Sequence, residues 1–390
     1  MADRIYTTET NATAPCQKIS PAMIAKRSFQ FLDQELIITD RFVIFMLWLV
    51  GLGIHGYGGF SAKALEALRG VRDIYVEKYT SPMPEAEIDE LKRLLNKDVK
   101  VVPRWFIEDG REILESAKKG DVALLVYGDP LIATTHLELR IRAEKNGIKS
   151  RVLHASSSIT SVIGECGLHM YKIGRTITLV SEAQSTTSIY YAVYSNLLVG
   201  NHTLILLEYN QDKDFFLKPN DALNMLLECE RDQKQSILSE DAFVIVASRV
   251  GNDDQNIMSG KIKSLLKADF GEPPHSIIIT GNLHFTEIDA LTVLTKLLDE
   301  PTDNSKGVTK IAEQMVQKYV PKARKALEQA INLVKGDKSF NEIVENAEYY
   351  ISDAERFLKQ GKLELAVLSI GYAEGLIDSI RFLKGVNVWE

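Results

Sequence analysis

The chain is poor in cysteine. Cys16, Cys166 and Cys229 are the three thiols among 390 residues. None is spaced as C-x-x-C, and no histidine is placed to complete a zinc set with them. That excludes a disulfide framework and leaves no metal to expect; free thiols fit a reducing cytoplasm. A long hydrophobic run is missing too. The apolar stretch FVIFMLWLVGLGI (42–54) is too short for a spanning helix, which needs about 20 residues, and Asp40 and Arg41 stop its extension backwards. It lies too far from the N-terminus for a signal peptide, and no small-residue cleavage site follows. Positive charge is also short: 46 Lys+Arg against 53 Asp+Glu leave a formal net charge of -7. Such a balance favours neither direct nucleic-acid binding nor a membrane partner.

What is present is ordinary globular material, 45% hydrophobic and 25% charged, in a chain long enough for more than one domain. Residues 1–45 are polar and weakly periodic, and read as a disordered or loosely attached extension. Met46 directly precedes the strand LWLVG, so an alternative is that the natural protein begins there.

From Met46 the pattern is α/β. LWLVGLG, DIYVEKY, VKVVPR, DVALLVYGDP and SRVLHASSS read as buried strands. Helices alternate with them, among them SAKALEALRG (61–70) with Ala62, Leu65 and Leu68 inward. Continuous apolar strands between amphipathic helices predict a largely parallel sheet covered on both faces. A second α/β lobe starts at about Gly174, with strands RTITLVSEA, HTLILLEYN, AFVIVASRVG and HSIIITGNLHF and helices PNDALNMLLECER and GKIKSLLKADFG. The division is thus an N-terminal lobe (46–173) and a C-terminal lobe (174–298), with the cleft between them as the default site.

Polar residues 299–307 read as a linker. Beyond them, residues 308–390 turn helical. Val308, Ile311, Met315, Tyr319, Ala323, Leu327, Ala330 and Val334 form one stripe, a capping box Ser339-Phe-Asn-Glu342 opens a second helix, and a third follows Gly361. Three amphipathic helices predict a separate α domain without a catalytic constellation.

Gly51-x-Gly53-x-x-Gly56 follows a strand, and Glu77 lies 21 residues after Gly56, which imitates a dinucleotide fingerprint. Gly58 and Gly59 follow at once, however, so no helix can start where a pyrophosphate needs it. The denser signals are polar loops at strand ends: GDPLIATTH (128–136), HASSSI (154–159), ASRVG (247–251) and GEPPH (271–275). In the first, Thr134 and Thr135 can cap the next helix.

With WLVGLGI, the segments GDPLIATTH, HASSSITSVIGECGLHMYKIGRT, NHTLILLEY, ASRVGNDDQ and DFGEPPHSIIITGNLHF resemble, in this order, the diphthine synthases. These are two-lobed, tetrapyrrole-methylase-like enzymes that use S-adenosylmethionine. The resemblance covers about residues 46–295. It implies methyl transfer to the amino group of the aminocarboxypropyl-modified histidine of translation elongation factor 2, in diphthamide biosynthesis, and it implies a homodimer. By motif it implies cofactor contacts at Ile54, Asp129, Ile132, Ser158, Ile159, Leu207, Ser248 and His275. AVLSIGYAEGLIDSIRFL resembles a small archaeal family of unknown function and implies a fusion.

The motifs assign no catalytic residue. Asp129, His136 and His275 are candidates to take the amine's proton; His55, His154, His169, His202, His284 and Cys166 read as structural. Two departures from the family pattern stand out: His-Gly-Tyr-Gly-Gly after GLG, where an acidic polar turn is common, and a serine loop one residue longer, which leaves Ser157 and Ser158 as alternatives. Two other functions stay open: a methylase of the same fold acting on a tetrapyrrole or other small molecule, and a cofactor-binding module without catalysis.

Overall fold

The computed structural model describes residues 45–389; the expectations for the leader and for Cys16 lie outside them. The first sheet contains β1 (Met46–Gly51), β2 (Asp73–Glu77), β3 (Lys100–Val102), β4 (Val122–Val126) and β5 (Lys149–Leu153). Its order is β3-β2-β4-β1-β5, and every pairing is parallel. Helices α1 (Ala62–Gly70), α2 (Glu85–Leu95), α3 (Arg104–Asp109), α4 (Arg111–Ala117) and α5 (His136–Lys145) complete this layer set.

Strand alternation divides its core in two. Leu47, Leu49 and Leu124 pack with Ile113 and Leu139 on one face, while Val50, Ala123 and Leu125 pack with Leu68 and Ile88 on the other. Because both faces are covered, β4 (VALLV) can be apolar at every position. The face expected for α1 is corrected. Ser61 accepts the Ala64 N–H at 3.1 Å and sets the helix start; this turns Ala64 and Leu68 inward and leaves Ala62 exposed.

Helix α6 (Ser158–Glu165) leads to the second sheet. That sheet is built from β6 (Ile177–Leu179), β7 (Thr203–Leu207), β10 (Phe243–Ser248), β11 (Asn256–Lys261), β12 (His275–Ile279) and β13 (Lys296–Leu297), with the hairpin β8 (Tyr209–Asn210) and β9 (Phe215–Phe216) beside it. Its helices are α7 (Ala183–Leu197), α8 (Pro219–Gln233), α9 (Ile262–Leu265) and α10 (Phe285–Leu294). The order is β13-β11-β10-β12-β7-β6, with β10 and β7 both antiparallel to β12.

GKIKSLLKADFG is not one helix. Gly260 and Lys261 close β11, in register with Val244 and Phe243 of β10, and only Ile262–Leu265 is helical. Pairing with a central buried strand outweighs the local helical pattern of this segment.

Helices α11 (Ile311–Leu333), α12 (Asn341–Lys359) and α13 (Leu363–Lys384) share their own core of Val316, Val320, Ala323, Leu327, Ile351, Ile370 and Ile377. The α11 stripe is therefore shifted from the expected one: Ile311 is 42% and Met315 44% exposed, because Val316 and Val320 take the inward face. The capping box is corrected as well. Ser339 donates its hydroxyl to Asp337 Oδ1 at 2.6 Å within a 3-10 turn, and α12 begins at Asn341 without a side-chain cap.

The segment read as a linker is docked. Asn304 accepts from the Phe243 N–H at 2.9 Å and donates to the Phe243 and Thr280 carbonyls at 2.7 and 2.9 Å. Tyr194 donates to the Thr309 carbonyl at 2.7 Å.

Candidate active site

In the first sheet the chain leaves β1 towards β2 and leaves β4 towards β5, which lie on opposite sides of the β4–β1 pair. This is a topological switch point, where the loops beyond the carboxyl ends of parallel strands part and leave a crevice. The two loops are laced together. Gly53 donates to the Gly128 carbonyl at 3.2 Å, and Gly128 to that of Gly53 at 2.9 Å. A Cβ at Gly51 would stand 2.6 Å from the Gly128 oxygen and 2.8 Å from Ala155 Cβ, so a side chain there would force the loops apart.

The facing wall comes from the second sheet. Its antiparallel pairing brings the carboxyl ends of β7 and β10 beside the start of β12, with Leu206 opposite Ser276 and Ser248 opposite His275. Contacts cross between the walls: His55 Nδ1 lies 2.6 Å from the Gly251 carbonyl. Between them is a cleft lined by residues of both lobes, among them Gly128, Ser157, Leu206 and Ala247.

Six of the eight residues expected from the motifs line it: Ile54, Asp129, Ile132, Ser158, Leu207 and His275. Ile159 and Ser248 are not among the lining residues. Ser248 is 1% exposed, and its hydroxyl has no hydrogen-bond partner among the described residues. Ser157 lines the cleft together with Ser158, and its hydroxyl accepts from the Ile159 N–H at 3.3 Å. The neighbouring Ser156 hydroxyl accepts the Ile54 N–H at 3.2 Å, which ties the serine loop to the glycine turn.

Asp129 is buried and accepts three hydrogen bonds: from Leu131 N–H at 2.9 Å, from His154 Nδ1 at 2.8 Å and from Ala155 N–H at 3.3 Å. A carboxylate has about four lone-pair sites, so one remains for a ligand. Ile132 is 40% exposed at the mouth, and Ala133 beside it adopts φ 56°. Arg249 is also left-handed at φ 51°. Such conformations cost about 1–3 kcal/mol and persist where surrounding contacts impose them; Arg249 is held by its own N–H to the Pro274 carbonyl at 2.9 Å and by Asp254 at 2.6 Å.

The histidines sort by their partners. His136 is fully buried, with Nδ1 3.1 Å from the Pro130 carbonyl and Nε2 2.9 Å from the Tyr79 hydroxyl. Burial pulls its pKa down, and with both nitrogens engaged it braces the GDP loop and is not free to act as a base. His275 Nε2 donates to the Gly271 carbonyl at 3.1 Å, and burial lowers its pKa, so it presents a neutral imidazole to the cleft. Burial pushes the Cys166 thiol up to about 12, which rules it out as a nucleophile. Thr134 donates to the Pro130 carbonyl at 2.7 Å, and neither it nor Thr135 caps α5.

Glu77 is no ribose ligand. It is fully buried and accepts from the N–H groups of Tyr79 and Thr80 at 2.9 and 3.0 Å and from the Thr80 hydroxyl. It thereby shapes the turn Thr80–Ser81–Pro82, which lines the cleft. That turn, together with Tyr127, Tyr209, Arg249 and Asn252, was not picked out from the sequence. Tyr127 directly precedes the GDP motif, and Arg249 lies within a loop already singled out; the turn after β2 carries no composition that marks it. No group of His, Cys, Asp and Glu among the described residues is arranged to hold a metal, and no helix among them is long and apolar enough to cross a membrane.

Comparison with known proteins agrees with this geometry. The profile of the Tetrapyrrole (Corrin/Porphyrin) Methylases matches residues 46–266, and that of a protein of unknown function, DUF357, matches 318–386. The diphthine synthase of Methanococcus vannielii is 38% identical over 252 residues, which are 64% of this chain and 98% of that protein. That of Methanocaldococcus jannaschii is 38% identical over 254 residues, with coverages of 64% and 98%. A diphthine synthase crystal structure superposes with a TM-score of 0.59 at 30% identity, covering 65% of this chain and 97% of that one.

Proposed function

The chain belongs to the tetrapyrrole methylases and, within them, to the diphthine synthases, and from that premise we propose that it methylates the amino group of the aminocarboxypropyl-modified histidine of translation elongation factor 2. The observation that carries the reading is the cleft at the switch point, assembled from the ordered loops of both lobes. S-adenosylmethionine is the proposed cofactor, and when bound it supplies a methyl group on a sulfonium that needs no further activation.

The residues present fit that cofactor. Ile54, Ile132 and Leu207 offer apolar flanks for an adenine ring and a methionine chain, the spare acceptor site of Asp129 suits an amino or hydroxyl group, and Ser158 and the neutral His275 offer further polar contacts. Ile159 and Ser248, with its buried, unpartnered hydroxyl, stand next in the chain to residues that line the cleft. The chain's contribution is to position donor and acceptor in line and to keep water out, which supplies much of the rate in such transfers.

The working organisation is a pair of lobes, 46–173 and 174–298, a connecting segment 299–307 and a helical domain 308–390, acting in the cytoplasm as a homodimer. A labelled methyl-transfer assay tests the activity, using elongation factor 2 that carries the aminocarboxypropyl-histidine precursor against the unmodified factor. Label is expected on the precursor alone; label on the unmodified factor, or on neither, overturns the reading. Calorimetry with S-adenosylhomocysteine tests the cofactor separately, and no binding at tens of micromolar counts against it.

A further inference from the structure

A second recess opens from the cleft and shares with it Ser81, Tyr127, Tyr209, Arg249 and Asn252. Two charged side chains in this recess are incompletely matched by the fold. Glu87, in the first turn of α2, lines it, and its Oε2 is buried with no hydrogen-bond partner among the described residues. The carboxylate lies against Gly56, where an added Cβ would fall 3.1 Å from Oε1 and closer still to Oε2; the glycine turn makes room for it. Arg249, held in its left-handed conformation, uses Nε on Asp254 at 2.7 Å and Nη1 on the Pro273 carbonyl at 3.2 Å, and its Nη2 makes no hydrogen bond to the described residues. A buried carboxylate oxygen without a donor carries a desolvation cost that the fold does not recover. Oε2 is the oxygen turned to Gly56 and closed to solvent, so Glu87 meets the recess through Oε1, opposite the guanidinium of Arg249 that lines the same recess.

Resting on the function proposed above, we propose that this recess is the acceptor subsite: Glu87 binds the acceptor's ammonium group and takes its proton, and the Arg249 guanidinium holds the acceptor's carboxylate. The amino-acid end of the modified histidine carries both groups, and the recess presents the complementary pair. In the proton step an N–H bond of the ammonium breaks, an O–H bond forms on Glu87, and the electron pair stays on nitrogen; as that lone pair forms the new N–C bond, the methyl group's C–S bond breaks and its electron pair leaves with the neutral sulfide. The proton then passes from Glu87 to solvent through the recess, which restores the carboxylate for the next round. Burial raises the Glu87 pKa, against the opposing charge of Arg249, in the direction a base needs to hold the proton briefly. The other titratable groups around the recess are Lys78, paired with Glu85 at 2.7 Å, and Tyr127, Tyr209, Asp214 and Glu272.

Glu87→Gln and Arg249→Lys are compared with the wild-type full chain. Glu87→Gln is expected to lower kcat for the precursor-bearing factor at least 100-fold while S-adenosylhomocysteine affinity stays within twofold. It is also expected to bind the precursor-bearing factor about tenfold more weakly in calorimetry, and to lose the fall in kcat/KM that the wild type shows as pH drops through the titration of Glu87. Arg249→Lys is expected to raise KM about tenfold with a smaller change in kcat, since a single ammonium cannot keep the Asp254 and Pro273 contacts and reach the acceptor carboxylate as well. A Glu87→Gln enzyme with kcat within threefold of wild type and the same acid limb overturns the assignment of Glu87; an unchanged KM in Arg249→Lys overturns that of Arg249. A wild type that binds S-adenosylhomocysteine but leaves the precursor unlabelled shows that the function itself is wrong, and the subsite falls with it.

Discussion

Two buried carboxylates at opposite ends of the enzyme lobes show how differently one fold treats the same group. Glu287, at the start of α10, is fully buried and is met by the Lys172 ammonium, the N–H groups of His169 and His284, and His202 Nε2, at 2.8 to 3.1 Å. Burial alone would raise its pKa, but these donors outweigh it and hold the carboxyl at about 2. Glu77, at the end of β2 beside the cleft, is equally buried, but its donors are two backbone amides and one hydroxyl, and burial pushes it up to about 7. One end of the molecule is closed by a cation and satisfied hydrogen bonds. The other keeps an elevated Glu77, an unpartnered Glu87 oxygen, an unpartnered Ser248 hydroxyl and two left-handed residues, Ala133 and Arg249. The carboxylate met by a cation lies away from the cleft, and the one without a cation stands beside it.

The comparison breaks if Glu287 is dispensable. Glu287→Ala strands Lys172 and the donors around it and should lower unfolding free energy by about 3–5 kcal/mol, with cofactor-analogue affinity little changed in the fraction that stays folded; denaturant titration reads the first and calorimetry the second. The pH dependence sharpens the contrast because the two signs are opposite. Glu287 binds its proton more weakly when folded, so its stabilisation is present above the ordinary carboxylate range and is lost as pH falls from about 4.5 towards 2. Glu77 binds its proton more tightly when folded, so stability falls as pH rises from about 4.5 through about 7. Between pH 5 and pH 8, Glu77→Gln should therefore gain roughly 2–3 kcal/mol relative to wild type in denaturant titrations; parallel curves would remove the distinction.

At the cleft itself, Asp129→Ala should weaken S-adenosylhomocysteine binding roughly 10- to 100-fold, or about 1.4–2.7 kcal/mol, while the chain still folds; calorimetry at matched folded fractions checks it, and unchanged affinity removes Asp129 from the site. The smallest effect concerns the helical domain. A chain ending at residue 310 keeps Asn304 in its bonds to Phe243 and Thr280 and should retain methyl transfer within about twofold. One ending at 299 loses them and should be less stable by about 1–2 kcal/mol in denaturant titration. A large loss of activity in a folded 1–310 chain would give the helical domain a part in the reaction.

Much of the fold was legible because its signals are local. β4 reads as a strand covered on both faces from VALLV alone, and the change from apolar strands to 3.6-residue stripes marks the helical domain. The errors are tertiary in origin. GKIKSLLKADFG has a helical pattern, yet its first residues pair with β10; the α11 stripe shifts to Val316 and Val320 because α12 and α13 cover that face. At the site, the loops GDPLIATTH, HASSSI, ASRVG and GEPPH were visible as dense polar punctuation at strand ends. Thr80–Ser81–Pro82, Tyr127 and Glu87 were not, since nothing in a turn after β2 or in the first turn of a helix shows what it will face.

The sequence by itself determined the alternation of elements, the two enzyme lobes, the helical domain and the ordered motifs, because periodicity and turn chemistry act over a few residues. Only the tertiary structure decided that Glu77 braces a turn and contacts no ribose, that His136 is locked between Tyr79 and Pro130, and that Glu87 and Arg249 meet at one recess. Burial and partnership depend on segments far apart in the chain, and they set the charge and the role of each of those groups.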